Sequence, residues 1–425
     1  MSLVSKFITE LVKFLTKSSC EDIESACKLV KFYESGGLFD FSFPLSLKIW
    51  KNYLKELNDD DVNKHHDNIL SYSRSDSTEE PCDLLCQKSL TWIFAVDSIE
   101  IKDHRCSFTI KRTPAYSTFL KEIAHNRSYG RTFKDEECET MSIEIDDQGN
   151  PSITQHRVEL VASIIKNLLD YSKFTLVDEP SVAKHKILVT SKSSLSKNHD
   201  QQLDRKLLTC GVVVNSKDKK VSTETGAGYI KQRCEDMHLM SIHKYGIRVK
   251  EDEAFKSLIA KLGRFAATLD LLEVKQSSAV TLTPDNKQAF ILYNSARMET
   301  LMEKFEKKVG EGYYEELPGI DEVDLSLLKE DEEWQLTKLL LSFPDVIDRS
   351  INELDLGKVS LHLLYKYITH LVNIFSIYYR RVRLLTENRK QLMPTLHTKI
   401  HFLRALQKVM NETLAILEIA PIAFM

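Results

Sequence analysis

The chain is poor in the residues that interrupt regular structure. Its 425 residues include only 13 glycines and 10 prolines, about half the share that soluble proteins usually carry. This scarcity excludes collagen, low-complexity disorder and arrays of small, turn-rich β-sandwiches, and it favours long helices. Hydrophobic residues make up 42% of the chain and charged residues 28%. That composition is typical of soluble domains, and the length predicts two or three of them.

Cysteine is also sparse, with eight residues scattered along the sequence. That density does not indicate a disulfide framework, so we expect reduced thiols, as in cytosolic proteins. The spacing of Cys82 and Cys86, followed by His104 and Cys106, resembles a zinc site only loosely. We therefore expect no bound metal and no cofactor.

No apolar run indicates a membrane span. The longest, residues 359–379, contains Lys366 and two histidines, which a bilayer core would disfavour. Residues 1–17 alternate apolar side chains with lysines at helical spacing but contain no arginine, which predicts a surface helix rather than a transit peptide. We expect a cytoplasmic protein that does not bind membranes.

Hydrophobic periodicity divides the chain into three predicted domains. Residues 1–135 read as an N-terminal α/β domain, with helical patterns interrupted by a polar break at residues 58–81. Residues 140–285 alternate strands and helices, as in a truncated Rossmann-like fold, and residues 286–425 show helical periodicity alone. The predicted fold class is therefore α+β with several domains.

Charge is strongly segregated near the C-terminus. Residues 299–355 contain 17 acids and 6 bases, whereas residues 356–408 contain 10 bases and one acid, Glu387. Like charges at helical spacing repel, so an anionic partner explains this basic segment better than a solvated surface does. Phosphate backbones are the most common such partner.

The basic segment carries its charges opposite an apolar stripe. From Leu361 the apolar residues recur every three or four positions, which predicts a helix with one buried face, and a second such helix follows Pro394. Tyrosines interleave the bases and could stack on unpaired bases, although we expect at least half of them to be buried. The candidate contacts of this segment are Lys366, Tyr378, Tyr379, Arg380, Arg381, Arg383, Arg389, Lys390, His397, Lys399, His401, Arg404 and Lys408.

Residues 288–297, with Tyr293, Ala296 and Arg297, resemble the helix that opens the DALR anticodon-binding domain of arginyl-tRNA synthetases. Residues 375–382 and 403–406 are similar to later segments of that domain. The resemblance implies an all-helical anticodon-binding bundle at the C-terminus. It also adds Tyr293 and Arg297 to the candidate tRNA contacts.

Two upstream segments resemble the signature motifs of class I synthetases, but in an eroded form. Residues 144–161 are similar to the segment with the His-Ile-Gly-His motif, yet residues 152–156 read Ser-Ile-Thr-Gln-His. Lys219 and Lys220 begin a segment similar to the loop that replaces the Lys-Met-Ser-Lys-Ser motif in many arginyl enzymes. About 60 residues separate the two segments, too few for a full catalytic domain. The resemblance therefore implies a catalytically inactive derivative with a relic nucleotide loop.

Among such derivatives, the resemblance is to DALR-domain proteins of animals. It implies a cytosolic adaptor that binds arginine tRNAs and presents them to a tRNA 3-methylcytidine methyltransferase of the methyltransferase-like family, which modifies position 32 of the anticodon loop. Two alternatives stay open. One is a minimal or inactive arginyl-tRNA synthetase-like enzyme, and the other is a protein-only scaffold in which the acidic segment covers the basic one.

Overall fold

The structure, a computed structural model, describes the chain outside residues 19, 21, 55–67, 75–79, 127–128, 132–137, 148, 150, 193–204, 246–252, 284–286 and 421–425. The chain forms two compact units. The first comprises Met1–Tyr129, Glu316–Phe343 and Val382–Ala405, and the second comprises Gly130–Glu315, Pro344–Arg381 and Leu406–Met425. The division into three contiguous domains stays a prediction.

The first unit contains a four-stranded antiparallel sheet in the order β1-β2-β4-β3. Its strands are β1 (Lys31–Phe32), β2 (Phe41–Pro44), β3 (Val96–Lys102) and β4 (Arg105–Ile110). Its N-terminal helices are α1 (Leu3–Leu15), α2 (Ile23–Cys27), α3 (Leu47–Trp50), α4 (Ile69–Ser73), α5 (Pro81–Ser89) and α6 (Arg112–His125). Helix α1 begins after Ser2, whose hydroxyl accepts from the N–H of Ser5 at 2.9 Å, a typical N-cap.

Aromatic rings join α1 to this sheet. The ring centroids of Phe7 and Phe41 lie 4.8 Å apart, and Phe41 stacks on Phe108 at 5.5 Å. All three side chains are fully buried. The apolar stripe of α1 therefore faces a core, as its amphipathic spacing requires.

The second unit contains a four-stranded parallel sheet in the order β6-β5-β7-β8. Its strands are β5 (Glu139–Ile145), β6 (Phe174–Leu176), β7 (His185–Ser191) and β8 (Lys206–Cys210), and a separate parallel pair joins β9 (Val213–Asn215) to β10 (Val280–Leu282). The unit also contains helices α7 (Ile153–Leu169), α8 (Gly226–Tyr245), α9 (Glu253–Leu272) and α10 (Lys287–Gly310). This sheet agrees with the Rossmann-like pattern expected for the middle of the chain.

Three longer helices complete the described chain: α11 (Asp331–Ile351), α12 (His362–Arg381) and α13 (Met393–Ile416). After residue 286 the described residues contain helices and no strand, as predicted. On α12 the predicted apolar stripe is buried, including Leu364, Ile368, Leu371 and Phe375. The combination of sheets and helices confirms the α+β class. No described helix has both the length and the apolarity that a membrane span requires.

The sequence pattern was wrong at several places. Strands β1 and β2 lie in a region predicted to be helical, and the short helix α4 lies within the predicted polar break. The apolar run at residues 210–215 predicts one continuous strand, whereas the structure divides this part of the chain between β8 and β9, which belong to different sheets. The division occurs at Gly211, where a side chain would collide with the backbone of Ser278.

A buried arginine holds the second unit together at this division. The Arg157 guanidinium, on α7, donates from Nε to the Leu271 carbonyl at 3.1 Å and from Nη1 to those of Gly211 and Ser278 at 2.7 and 2.8 Å. Its Nη2 donates to the Lys275 carbonyl at 3.2 Å. Burial lowers the pKa of Arg157 to about 10, so the side chain still carries its charge at neutral pH.

Replacement of Arg157 by leucine should lower the free energy of unfolding by about 3 kcal/mol or more, because buried carbonyls would lose their donors. Urea denaturation of the full chain measures the change. Arg264→Leu, at an exposed position, is the control and should change stability by about 0.5 kcal/mol or less. Equal stability of the two variants would contradict this role for Arg157.

Candidate functional site

A cationic side chain held between two aromatic rings marks the surface of the second unit. The Arg297 guanidinium, on α10, lies 4.4 Å from the ring centroid of Tyr293 and 4.4 Å from that of Tyr379 on α12. Its Nη2 donates to the Tyr293 hydroxyl at 2.7 Å, and its Nη1 donates to Asn294 Oδ1 at 3.3 Å. The four-residue spacing of Tyr293 and Arg297 places both on one helix face. Three residues predicted to contact tRNA are thus brought together.

No carboxylate neutralises this arginine within the part of the chain that the structure describes. The two rings attract the guanidinium through their π-faces and also hold it in place. All three side chains are half-buried rather than enclosed. The arrangement presents a fixed positive charge with aromatic edges, which suits a phosphate or an unpaired base.

The solvent face of α12 continues this chemistry. Lys366, Asn373, Ile377 and Arg380 are exposed at spacings of seven, four and three residues, which align them along one side of a helix. The Arg380 Nε donates to the Ser376 carbonyl at 3.2 Å. Among the described residues neither Lys366 nor Arg380 has a carboxylate partner. We call these four residues and the Arg297 cluster the α10/α12 surface.

Several predicted contacts of the second unit lie away from this surface. Tyr378 is fully buried in the core, and Tyr365 and Tyr367 are only 6% and 4% exposed. These positions fit the expectation that at least half of the tyrosines in the basic segment are buried. Arg381 is exposed at the end of α12. Lys408 is half-buried, and burial lowers its pKa.

The remaining predicted contacts belong to the first unit. Arg383, Arg389, Lys390 and Arg404 are exposed, and Lys399 is half-buried. Glu387 lies 2.6 Å from Arg389 and 3.9 Å from Arg383, so one carboxylate partly offsets two of these arginines.

Two histidines predicted as RNA contacts on the helix after Pro394, now α13, are packed against protein. His397 is buried, and His401 Nε2 is hydrogen-bonded to the Pro318 carbonyl at 2.8 Å. Burial lowers the pKa of His401. His401 is therefore a poor source of positive charge at neutral pH, and His397 is enclosed and does not reach the surface.

The two eroded motif segments meet directly in the second unit. Ser152 and Thr225 form an antiparallel bridge, Ile153 N donates to the Glu224 carbonyl at 2.9 Å, and Gly226 N donates to the Pro151 carbonyl at 3.1 Å. A Cβ on Gly226 would lie 2.7 Å from the Cβ of His156. The segments are thus joined by backbone hydrogen bonds at residues 151–153 and 224–226.

Lys219 and Lys220 lie in the turn before this junction. Asn215 N donates to the Lys220 carbonyl at 3.0 Å, and Lys220 N donates to Asp218 Oδ1 at 3.1 Å. Lys219 has a positive φ of 56°. These hydrogen bonds close the loop as a hairpin. Both lysine side chains are exposed on it.

Next to this hairpin lies a buried ion cluster that the sequence did not indicate. Arg233 is 1% exposed; its Nη1 lies 2.9 Å from Asp236 Oδ2 and its Nε lies 3.0 Å from Asp270 Oδ2. The Tyr229 hydroxyl also donates to Asp270, at 2.8 Å, and proximity to that carboxylate adds to burial in raising the pKa of Tyr229. Since both acids are paired with Arg233, the cluster reads as structural.

Within the described residues no three or more His, Cys, Asp or Glu side chains are arranged to hold a metal ion. Cys82 and Cys86 lie on α5, and Cys106 is buried in β4. Burial and the neighbouring thiols raise the pKa of Cys106 well above its usual range. A protonated, enclosed thiol is a poor zinc ligand.

Comparison with known proteins identifies the region that carries the α10/α12 surface. Residues 291–425 match the DALR anticodon binding domain. Tyr293, Arg297 and the exposed face of α12 all lie within it.

Curated proteins whose names include this domain also match part of the chain. Over 236 residues the chain is 31% identical to DALR anticodon-binding domain-containing protein 3 of Danio rerio, covering 51% of this chain and 41% of the relative. The Mus musculus protein of the same name is 27% identical, with 47% and 39% covered. The matched region thus spans about two fifths of these curated relatives.

The fold as a whole resembles that of arginyl-tRNA synthetases. The Thermus thermophilus enzyme superimposes with a TM-score of 0.65 at 8% identity, covering 98% of this chain and 99% of that one. At this identity the likeness concerns the fold alone. It agrees with the synthetase-like architecture expected around the DALR domain.

The closed junction of the motif segments can be tested with two glycines on α8. Gly226→Ala should lower the free energy of unfolding by about 1–3 kcal/mol, because the new methyl group would collide with His156. Gly228→Ala is the matched control, since its methyl group would meet only the side chains of Glu224 and Thr225, the nearer being the movable carboxylate of Glu224. Thermal denaturation of both variants measures the difference, and equal losses would argue against a tight junction.

Proposed function

We propose that this protein is a non-catalytic tRNA-binding adaptor whose DALR domain recognises arginine tRNAs. The observation that carries the proposal is the α10/α12 surface: a guanidinium fixed between two tyrosine rings beside a helix face with two unneutralised cations. Its chemistry matches the needs of an RNA loop, which offers phosphates and unstacked bases together.

The charge arrangement favours an external anion over an internal cover. Two described ion pairs of the acidic segment are with α6 of the first unit, where Asp321 lies 2.6 Å from Lys121 and Asp331 lies 3.4 Å from Arg112. In the second unit Glu353 lies 4.0 Å from Lys358, at the start of the basic segment. Lys366 and Arg380 have no such partner among the described residues. This supports RNA binding over the scaffold alternative, in which acids would cover the basic helices.

The junction of the two motif segments supports the absence of aminoacylation. A class I site needs its signature segments apart, so that ATP fits between them and its phosphates meet preorganised donors. Here two backbone hydrogen bonds join them at residues 151–153 and 224–226. The segment also lacks the glycine and the pair of histidines of the His-Ile-Gly-His motif, because residues 152–156 read Ser-Ile-Thr-Gln-His.

The partner and compartment come from the resemblance to animal DALR-domain proteins. In this proposal the chain works in the cytoplasm and presents arginine tRNAs to a 3-methylcytidine methyltransferase, which modifies position 32. The predicted RNA contacts that remain outside the core stay candidates in this proposal: Arg381 and Lys408 in the second unit, and Arg383, Arg389, Lys390, Lys399 and Arg404 in the first. Tyr378 and His397 are left out because they are buried.

The tRNA interface can be tested by removing its two unpaired cations. The double variant Lys366→Gln and Arg380→Gln should weaken binding of an arginine tRNA and should reduce the slope of log affinity against log salt by about 1.5 to 2. The matched control replaces Lys256 and Lys358, which lie near Glu253 and Glu353, with glutamine. Gel-shift titrations over a range of salt concentrations measure both. An unchanged slope in the first variant would remove this surface from the proposal.

The adaptor role requires a reconstituted methylation assay. Addition of the wild-type chain should increase methyl transfer to arginine tRNA by a 3-methylcytidine methyltransferase, and the Lys366→Gln, Arg380→Gln variant should reduce that increase in proportion to its lost affinity. Methylation that does not respond to the chain would contradict the adaptor role.

The same preparation should show no arginine-dependent exchange between ATP and pyrophosphate. Exchange that is present, and is lost on replacement of Lys219 or Lys220 by alanine, would instead favour the synthetase alternative.

A further inference from the structure

The first unit contains a cavity of about 610 Å³ that the proposed tRNA contacts do not use. It lies between the sheet, the start of α6 and the first turns of α11. Its charged lining residues are Asp40, Asp97, Lys111, Arg112 and Lys338, and its other lining residues include Leu38, Thr113 and Trp334.

The start of α6 supplies two free backbone donors to this cavity. Lys111, the N-cap, makes no side-chain hydrogen bond to the helix, and its own N–H donates to the Ala95 carbonyl at 2.8 Å. The N–H groups of Arg112 and Thr113 have no acceptor among the described residues. Since α6 is 14 residues long, these groups also carry the positive end of a helix dipole.

A buried ammonium group faces the same cavity without full coordination. Lys338 is 3% exposed, and its Nζ lies 3.4 Å from Asp40 Oδ1, beyond the usual hydrogen-bond length. The Asp40 oxygens already accept shorter bonds, from Trp334 Nε1 at 2.9 Å and from Ile110 N at 3.0 Å. Lys338 thus lacks a hydrogen-bond acceptor of normal length within the described structure. A buried cation in this condition is costly unless a ligand completes its coordination.

The arginine at the helix start is held at the same place. The Arg112 guanidinium lies 5.6 Å from the ring centroid of Trp334 and 3.4 Å from Asp331 Oδ1. The lining contains three cations, Lys111, Arg112 and Lys338, and two carboxylates, Asp40 and Asp97. Asp331 beside Arg112 makes the formal charges equal, but that ion pair is exposed to solvent, so a phosphate can compete with Asp331 for Arg112. The helix N-terminus adds partial positive charge.

We propose that this cavity binds the phosphate group of a nucleotide. The Arg112 and Thr113 N–H groups and the Lys338 ammonium would hold the phosphate oxygens, in the manner of anion sites at helix N-termini, and Arg112 would add a planar donor pair. The volume exceeds that of a phosphate ion alone, and Leu38 and Trp334 provide apolar surface for an attached nucleoside. A free mononucleotide and the 5′-phosphate of an RNA share this chemistry.

The test uses the full chain and four probes: inorganic phosphate, AMP, and a trinucleotide RNA with or without a 5′-phosphate. Isothermal titration calorimetry measures the affinities, and thermal denaturation measures stabilisation. We expect AMP to bind and to raise the melting temperature. We also expect the phosphorylated trinucleotide to bind at least tenfold tighter than its 5′-hydroxyl form. Tighter binding of AMP than of the phosphorylated RNA identifies the ligand as a mononucleotide, and the reverse identifies an RNA end.

Three variants locate the binding. Lys338→Met, which conserves volume, and Arg112→Gln should each weaken AMP binding at least tenfold. Thr113→Pro removes one backbone donor at a first-turn position that tolerates proline, and it keeps the test valid if Lys338→Met fails to fold. The matched control is Lys121→Gln on the same helix, where the lysine pairs with Asp321.

The proposal would be overturned if the Arg112 and Thr113 variants bound AMP with wild-type affinity. It would also be overturned if the wild-type chain bound none of phosphate, AMP and phosphorylated RNA. The α10/α12 surface belongs to the other unit, so its salt dependence is read independently.

Discussion

The second unit depends on one buried charge that is balanced by backbone rather than by an acid. The Arg157 guanidinium connects α7 with the end of α9, the segment that follows α9 and the division between β8 and β9. A helix end leaves carbonyl groups without internal partners, and Arg157 satisfies one of them at Leu271. Because α7 begins next to Ser152, the same side chain fixes the segment that pairs with Thr225. The closed junction is therefore part of the core architecture.

The sequence predicted those elements whose information is local. The apolar spacing of α12 agrees with its buried face. Periodicity also predicts a helix over residues 253–272, and α9 has these bounds. Strands β1 and β2 have two and four residues, too few for an alternating pattern to be distinguished from a helix. The division at Gly211 depends on its close approach to Ser278, a contact between distant residues that periodicity does not reveal.

The α10/α12 surface also depends on contacts between distant residues that the sequence pattern does not reveal. A four-residue spacing already places Tyr293 beside Arg297, but the second ring, that of Tyr379, arrives from a helix about 80 residues away in sequence. The segregation of charge identified a basic segment without showing which bases are free. The structure separates exposed Lys366 and Arg380 from buried His397, and it places Asp321 beside Lys121 on α6. The cavity next to Lys338 gave no sequence signal, since a lone lysine in an amphipathic helix usually points to solvent.

The hydrogen bonds between residues 151–153 and 224–226 also bear on whether side-chain substitutions alone could give such a chain a nucleotide site. Substitutions that restored two histidines and a glycine would change side chains but leave the backbone pairing intact. An incoming nucleotide would first have to separate paired main-chain groups, each at a net cost of about 1 kcal/mol, as well as the packing of Gly226 on His156. In the proposed non-catalytic protein, the obstacle to nucleotide binding would therefore lie in the main chain as well as in the side chains, and substitution of single side chains would leave it in place.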